Sequence, residues 1–530
     1  MCVATNDGTY NNWIIGGFPS NEEKAPVISI AATNFSNGAA SYYAVAFGAG
    51  SAGSTNEFNA WRIGDFGAGA RVTVAAEATS SWSDEHYVAI FGAGYTNGGS
   101  FKDWRIGNFG AGVNLRAISD TCAATIFGSG YDGGDFTNWK IGTFGDNSTL
   151  TVRGGGNYGH AAIFGAGLLM RNVNFSRWKI AGFGNDVSLT ARGSYDTTIF
   201  GAGLIGHQAD GWFLSDGIDS VDFSHWEIGS FGANAQLSGY NTKGCALFGA
   251  GTACTQNTAN VNFSGWRIGN FGEGSTLTVS ADSGSSAAIF GVGCVFKKAC
   301  VNFSNWTIGN FGARSELTAN YKSATIFGAG VTYTSADFSG WRIGNFGDSV
   351  KLCNHGKYSS SRAVFGAGSA GGTSDFSNWS IGSFGANAEL IVQRGTSATV
   401  FGAGSASSMS NFSNWTIGTF ADGAKLINCS TAASFGHVYY ALFGPADVGN
   451  THTFTNWTVE FCGNAILGLL VNIDDGRDPE WISLNALGGI GNSDFRFYFN
   501  NAKTEDVIVT IGALKSQMPE DGRLAKKEEE

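Results

Sequence analysis

A tryptophan returns about every forty residues along this chain. It stands at positions 13, 61, 104, 139, 178, 226, 266, 306, 341, 379, 415 and 457, eleven intervals covering 444 residues. Most of these tryptophans sit in a near-copy of one phrase, such as NFSGWRIGNFGE at 262–273, NFSNWTIGNFGA at 302–313 and DFSNWSIGSFGA at 375–386. A fixed period of this size restricts a chain to a solenoid, a propeller or an array of small stacked units.

Between successive tryptophans lies a second phrase, AAIFGAG or a variant, with its phenylalanine at 47, 91, 127, 164, 200, 248, 290, 327, 365, 401 and 443. From that phenylalanine to the next tryptophan the distance is fourteen residues in six cases, so one connection is a constrained corner. The return connection varies in length, and a long insertion at 204–222 interrupts one of the tight corners. Within a unit the residues predict three short strands. Trp306 and Ile308 share a face at the two-residue strand period, and the bend at Gly309 and Asn310 turns Phe311 inward as well. A second strand surrounds Leu317, with counterparts at Leu189, Leu237 and Leu277, and the third is ATIFGAG at 324–330. No helical periodicity runs through the repeats.

One such unit cannot bury its apolar face alone. Stacked about 4.8 Å apart, equivalent units pair their backbones and lay like side chains over like. Composition agrees: 43% of residues are hydrophobic, with 41 phenylalanines and 80 glycines, while charged residues make up only 14%. The chain is thus expected to be all-β: about twelve coils of ~40 residues with three short strands each, over residues 1–460. A β-rich cap or assembly segment at 461–517 and a charged, flexible tail at 518–530 would follow. In architecture the repeats resemble the β-solenoid, or parallel β-helix, class, which includes phage tailspikes, autotransporter-like adhesins and polysaccharide lyases. The resemblance carries no functional residues with it. A propeller fits less well, because twelve units exceed the usual roughly four to eight blades.

The tryptophans Trp61, Trp104, Trp139, Trp178, Trp226, Trp266, Trp306, Trp341, Trp379 and Trp415 form the expected structural ladder. Asp or Asn precedes the phenylalanine of the phrase at Asp135, Asn174, Asp222, Asn262, Asn302, Asp337, Asp375 and Asn411. Free exchange of the two residue types favours an Asx turn over a calcium ladder. The position after the tryptophan should face outward, and it carries Arg62, Arg105, Lys140 and Lys179 in four successive units, then Glu227, Arg267, Thr307, Arg342, Ser380 and Thr416. That column is either a grip for an acidic partner or a solvated face whose charged tips splay into water.

Classes of chemistry are narrowed by what is missing. The net charge of −11 argues against general nucleic-acid binding, and no apolar run reaches the length of a membrane-spanning helix. Nine cysteines show no C-x-x-C spacing; Cys254, Cys294 and Cys300 are near enough in the repeat to bridge, or to sit as buried thiols. No catalytic residue, cofactor or metal ligand is assigned. The nearest polar groups are Asp84, Glu85 and His86, and Asp210, Asp216 and Asp219, all read as loop residues.

The N-terminal residues carry no leader-like pattern, so the chain is expected to be cytosolic, virion-borne or already processed. The first phrase starts at Tyr10, which leaves little chain to cap the open strand edges. These features point to a structural subunit of an extracellular, cell-surface or virion-associated fibre, filament or sheath, not an enzyme, that self-associates into a homo-oligomer or polymer. Two other roles fit the pattern. One is a receptor- or glycan-binding adhesin whose variable loops at 78–87 and 204–222 present Trp82 and Trp212. The other is a tailspike-like polysaccharide-degrading enzyme with paired carboxylates on the same loops.

Overall fold

The computed structural model describes residues 2–4, 8–20, 25–33, 42–77, 86–156, 159–206, 218–241, 244–281, 286–320, 323–355, 361–393, 397–406, 409–431, 439–448, 457–461, 465–472, 495–499 and 507–513. These residues form a parallel β-solenoid, and no α-helix occurs among them. Three sheets run the length of the rod, one of 17 strands and two of 13. In one coil the strands are Thr307–Ile308, Glu316–Asn320, Ser323–Thr332 and the short Ala336–Asp337, the last two in the same sheet. Register is strict: Ile268 lies over Ile308 and Ile343, Leu277 over Leu317 and Leu352, and Phe290 over Phe327 and Phe365.

Four aromatic columns fill the interior. Eleven consecutive tryptophan pairs from Trp13 to Trp457 stack with centroids 4.6–5.0 Å apart and planes within 6° of parallel. This spacing is that of the paired strands, so the backbone ladder and the ring stack reinforce each other. The phenylalanine three residues before each tryptophan makes a second column, exemplified by Phe263 and Phe303 at 4.8 Å. The other two phenylalanine columns meet edge to face, as Phe311 and Phe327 do at 5.9 Å and 80°. Offset stacking within columns and T-shaped contact between them both place ring edges against ring faces.

The third strand differs from expectation. It is long, reaching 19 residues at Gly244–Asn262 and 17 at Ser286–Asn302, where the chain stays extended through the connection. In Ala161–Leu169 every residue is buried, so both faces are covered. Its bend comes from a glycine. Gly201 has φ near +120°, and a Cβ there would lie 2.0 Å from the carbonyl oxygen of Gly249 in the next rung. Just before this glycine Ile199 and Phe200, though consecutive, both reach the core. Tyr43, Tyr87, Tyr95, Tyr131, Cys122 and Ala123 form a smaller cluster apart from the main core.

The segment after residue 460 continues the stack. Ala465–Asn472 pairs with Ala424–Thr431, and Phe495–Phe499 and Val507–Ala513 add a further rung in register. In that rung Phe495 holds the backbone register position of Trp457. The two thirteen-stranded sheets thus hold one strand more than the twelve tryptophan-bearing units expected from the repeat. Residues 514–530, read from the sequence as a flexible tail, lie outside the described residues.

Candidate functional site

The ladder position is built by two turns and a hydrogen bond. The Asp or Asn before each phenylalanine accepts the backbone N–H two residues on, as Asn302 does from Ser304 at 2.9 Å and Asp337 from Ser339 at 2.9 Å. These are Asx turns, in which a side-chain oxygen replaces a backbone partner. The residue just before the tryptophan is left-handed throughout, with φ of 59–72° from Asn12 and Ala60 to Asn378 and Asn414. This corner swings the indole inward. From Trp104 to Trp457 each indole N–H then donates to the carbonyl of the phenylalanine one rung earlier, as Trp266 does to Phe223 at 2.5 Å and Trp341 to Phe303 at 2.6 Å, while Trp61 donates to Tyr10. A buried indole needs such an acceptor, and all ten predicted ladder tryptophans are at most 3% exposed.

Outside the ladder, the residue following each tryptophan forms one unbroken column. Arg62, Arg105, Lys140, Lys179, Glu227, Arg267, Thr307, Arg342, Ser380 and Thr416 pair in that order. All but the half-buried Glu227 are exposed. Lys179 and Glu227 make an ion pair at 2.8 Å, and the Lys179 ammonium, with Arg267 beside it, lowers the carboxyl pKa of Glu227. Arg62, Arg105, Lys140, Arg267 and Arg342 have no ion-pair partner among the described residues.

A groove parallel to the rod axis runs beside this column. Glu227, Arg267, Thr307 and Arg342 line one side, and His225, Asn305 and Asn378 line the corner side. Gly265 and Gly340 occupy the corner in the intervening rungs and put no side chain into it. The Trp-x-x-Gly pattern did not disclose the groove, because the alternation of glycine with a bulky residue before the tryptophan becomes a shape only once the rungs are stacked.

Other candidates fare differently. Trp82 and Trp212, together with Asp84, Glu85, Asp210 and Asp216, lie outside the described residues. His86 is not a loop residue: it opens the strand His86–Thr96 and is fully buried. Asp219 is exposed, and its backbone N–H donates to Asn172. Cys254, Cys294 and Cys300 carry free thiols; Cys294 pairs with Thr252 and Cys254 with Phe296, so stacking places the first two in different columns. Burial pushes both of their thiol pKa values up. His160 and Asp196 approach to 3.5 Å in the interior, with the Thr252 hydroxyl donating to the same carboxylate at 3.0 Å. At 2% and 0% exposure they are closed to a substrate. Among the described residues no group of three metal-ligating side chains converges, and no helix is long and apolar enough to cross a membrane.

Comparison with models of protein families, with curated proteins and with solved structures finds no match to this chain.

Proposed function

We propose that this protein is a structural subunit of an extracellular or virion-associated fibre, filament or sheath, joined end to end through its open solenoid edges. The observation that carries this reading is the state of the first rung. Tyr10, Trp13 and Phe18 stack on Phe58, Trp61 and Phe66 and, among the described residues, on no ring of an earlier rung. They are only partly buried, as are Ile15, Ile28 and Ile30, whereas Trp61, Ile63 and Phe66 in the next rung are 2–3% exposed. Ile14 and Val27 are 78% and 66% exposed.

Among the described residues the strands Ile14–Ile15 and Val27–Thr33 are paired on one side only, so this rung offers an aromatic platform with open strand edges, which favours pairing with another chain. The two ends of a solenoid differ, so their contact is head to tail and does not close; it extends into a filament. Rigidity and resistance to proteolysis follow from backbone pairing along the whole rod, as an exposed appendage requires. Sedimentation velocity and negative-stain microscopy over a concentration series test the proposal. Rods that lengthen with concentration, and fail to lengthen in the Trp13→Arg variant, support it. Single rods of constant length at the highest concentrations would sink it.

A further inference from the structure

We infer that the axial groove along the tryptophan face binds a linear acidic polysaccharide lying parallel to the rod. The groove is distinct from the loops at 78–87 and 204–222, and the inference holds whether or not the rods join end to end.

Charge comes first. From Arg267 to Asn378 the lining carries two guanidinium groups, the Thr307 hydroxyl and the Asn305 and Asn378 carboxamides, with no carboxylate; Glu227 closes one end and is already paired with Lys179. Beyond Glu227 the same column continues as Lys179, Lys140, Arg105 and Arg62. Like charges directly opposite one another across paired strands are unfavourable, and in this extension of the column Arg62, Arg105, Lys140 and Lys179 stand in consecutive rungs of a chain whose net charge is −11. An anion laid along the column relieves that repulsion. Planar guanidinium forks bind carboxylate or sulfate by paired hydrogen bonds.

Spacing supplies the second argument. Arg267 and Arg342 pair with opposite sides of Thr307, so they stand two rungs, or about 9.6 Å, apart. One disaccharide of an extended β-linked chain advances by nearly the same length. A polysaccharide with one acidic group per disaccharide therefore meets an arginine at each repeat, while Thr307 and the asparagines face the neutral sugar between. The shape excludes the obvious competitor. Single-stranded nucleic acid is held by aromatic platforms, and the ladder tryptophans are buried, leaving His225 as the one aromatic ring in the lining among the described residues.

Titration calorimetry of the full chain with unsulfated chondroitin oligosaccharides, neutral dextran and oligothymidylate tests the assignment. Chondroitin is expected to bind and dextran not to, with affinity falling as salt screens the groove. Replacing both exposed arginines, Arg267→Ala with Arg342→Ala, should weaken chondroitin binding roughly tenfold or more at an unchanged melting temperature. Arg314→Ala, exposed but outside the groove and paired with Glu273, should bind like the parent chain. No chondroitin binding, equal binding by the double variant, or equally tight binding of oligothymidylate would each overturn the inference.

Discussion

The indole N–H of Trp306 donates at 2.6 Å to the backbone carbonyl of Phe263, which lies one rung earlier. The tryptophan is thus a connector between coils as well as core filling. Ring stacking alone could be supplied by any aromatic residue, but the polar link needs an indole. Replacing Trp266 by Phe keeps a ring in the column between Trp226 and Trp306 and leaves the Phe223 carbonyl without its donor. Losing that partner should cost about 1–3 kcal/mol. Trp266→Ala, which also empties a large volume, should cost about 3–5 kcal/mol. Denaturant unfolding, with amide exchange on the strand Arg267–Ile268, measures both. A Trp266→Phe chain as stable as the parent would remove the hydrogen bond from the account.

The bend in the long strand makes a sharper prediction. A methyl group on Gly201 would lie 2.0 Å from the Gly249 carbonyl, and its φ of +120° is one that side-chain-bearing residues rarely adopt. Gly201→Ala should therefore lose at least about 3 kcal/mol or fail to accumulate as folded protein. At Gly16 an added Cβ meets nothing within 4 Å, so Gly16→Ala is the matched control and should melt like the parent. Similar melting of the two variants would contradict the packing described here.

Asp132 provides a pH signature. Its side chain is 2% exposed, accepts the Gly133 N–H at 2.9 Å and pairs with Arg171 at 2.8 Å. Burial nevertheless outweighs the arginine and pushes the carboxyl pKa up to about 6. The folded chain then holds a proton, between about pH 4 and 6, that the unfolded chain has released. Stability from this group is full below that window and declines as pH rises through it, by on the order of 2–3 kcal/mol. Asp132→Asn cannot ionise, so its stability relative to the parent should rise from pH 4 to pH 7. Parallel stability curves for the two proteins over that range would refute the assignment.

Much of the coil was readable before any coordinates. Tryptophan, isoleucine and phenylalanine recur at fixed offsets, and strand geometry converts those offsets into inward columns at Trp306, Ile308 and Phe311. The exchange of Asp with Asn disclosed the Asx turns for the same reason: either side chain offers the one oxygen the turn uses. What stayed hidden lacks a periodic signal or is masked by variation. Residues 461–517 read as β-rich, but their place as a further rung is hidden because phenylalanine, at Phe495, holds the register position that tryptophan holds in the repeats. The left-handed corner is blurred by Ala60, Asp103, Arg177 and His225 among its asparagines and glycines. The smaller tyrosine cluster rests on Tyr43, Tyr87, Tyr95 and Tyr131, which belong to three rungs only. Tyr43 and Tyr87 share one register position and Tyr95 and Tyr131 another, so each recurrence spans only two rungs and no long repeat announces it.

The stacked indoles have an optical consequence. Chromophores this close and this nearly parallel couple their excited states, so energy absorbed by one indole passes readily to the next. Excitation can migrate between neighbours until it finds the site of lowest energy, and water contact lowers the energy of an excited indole. Trp13 is the partly hydrated terminus of that series. Emission from the column is therefore weighted toward Trp13, and its colour reports whether that ring is wet or covered.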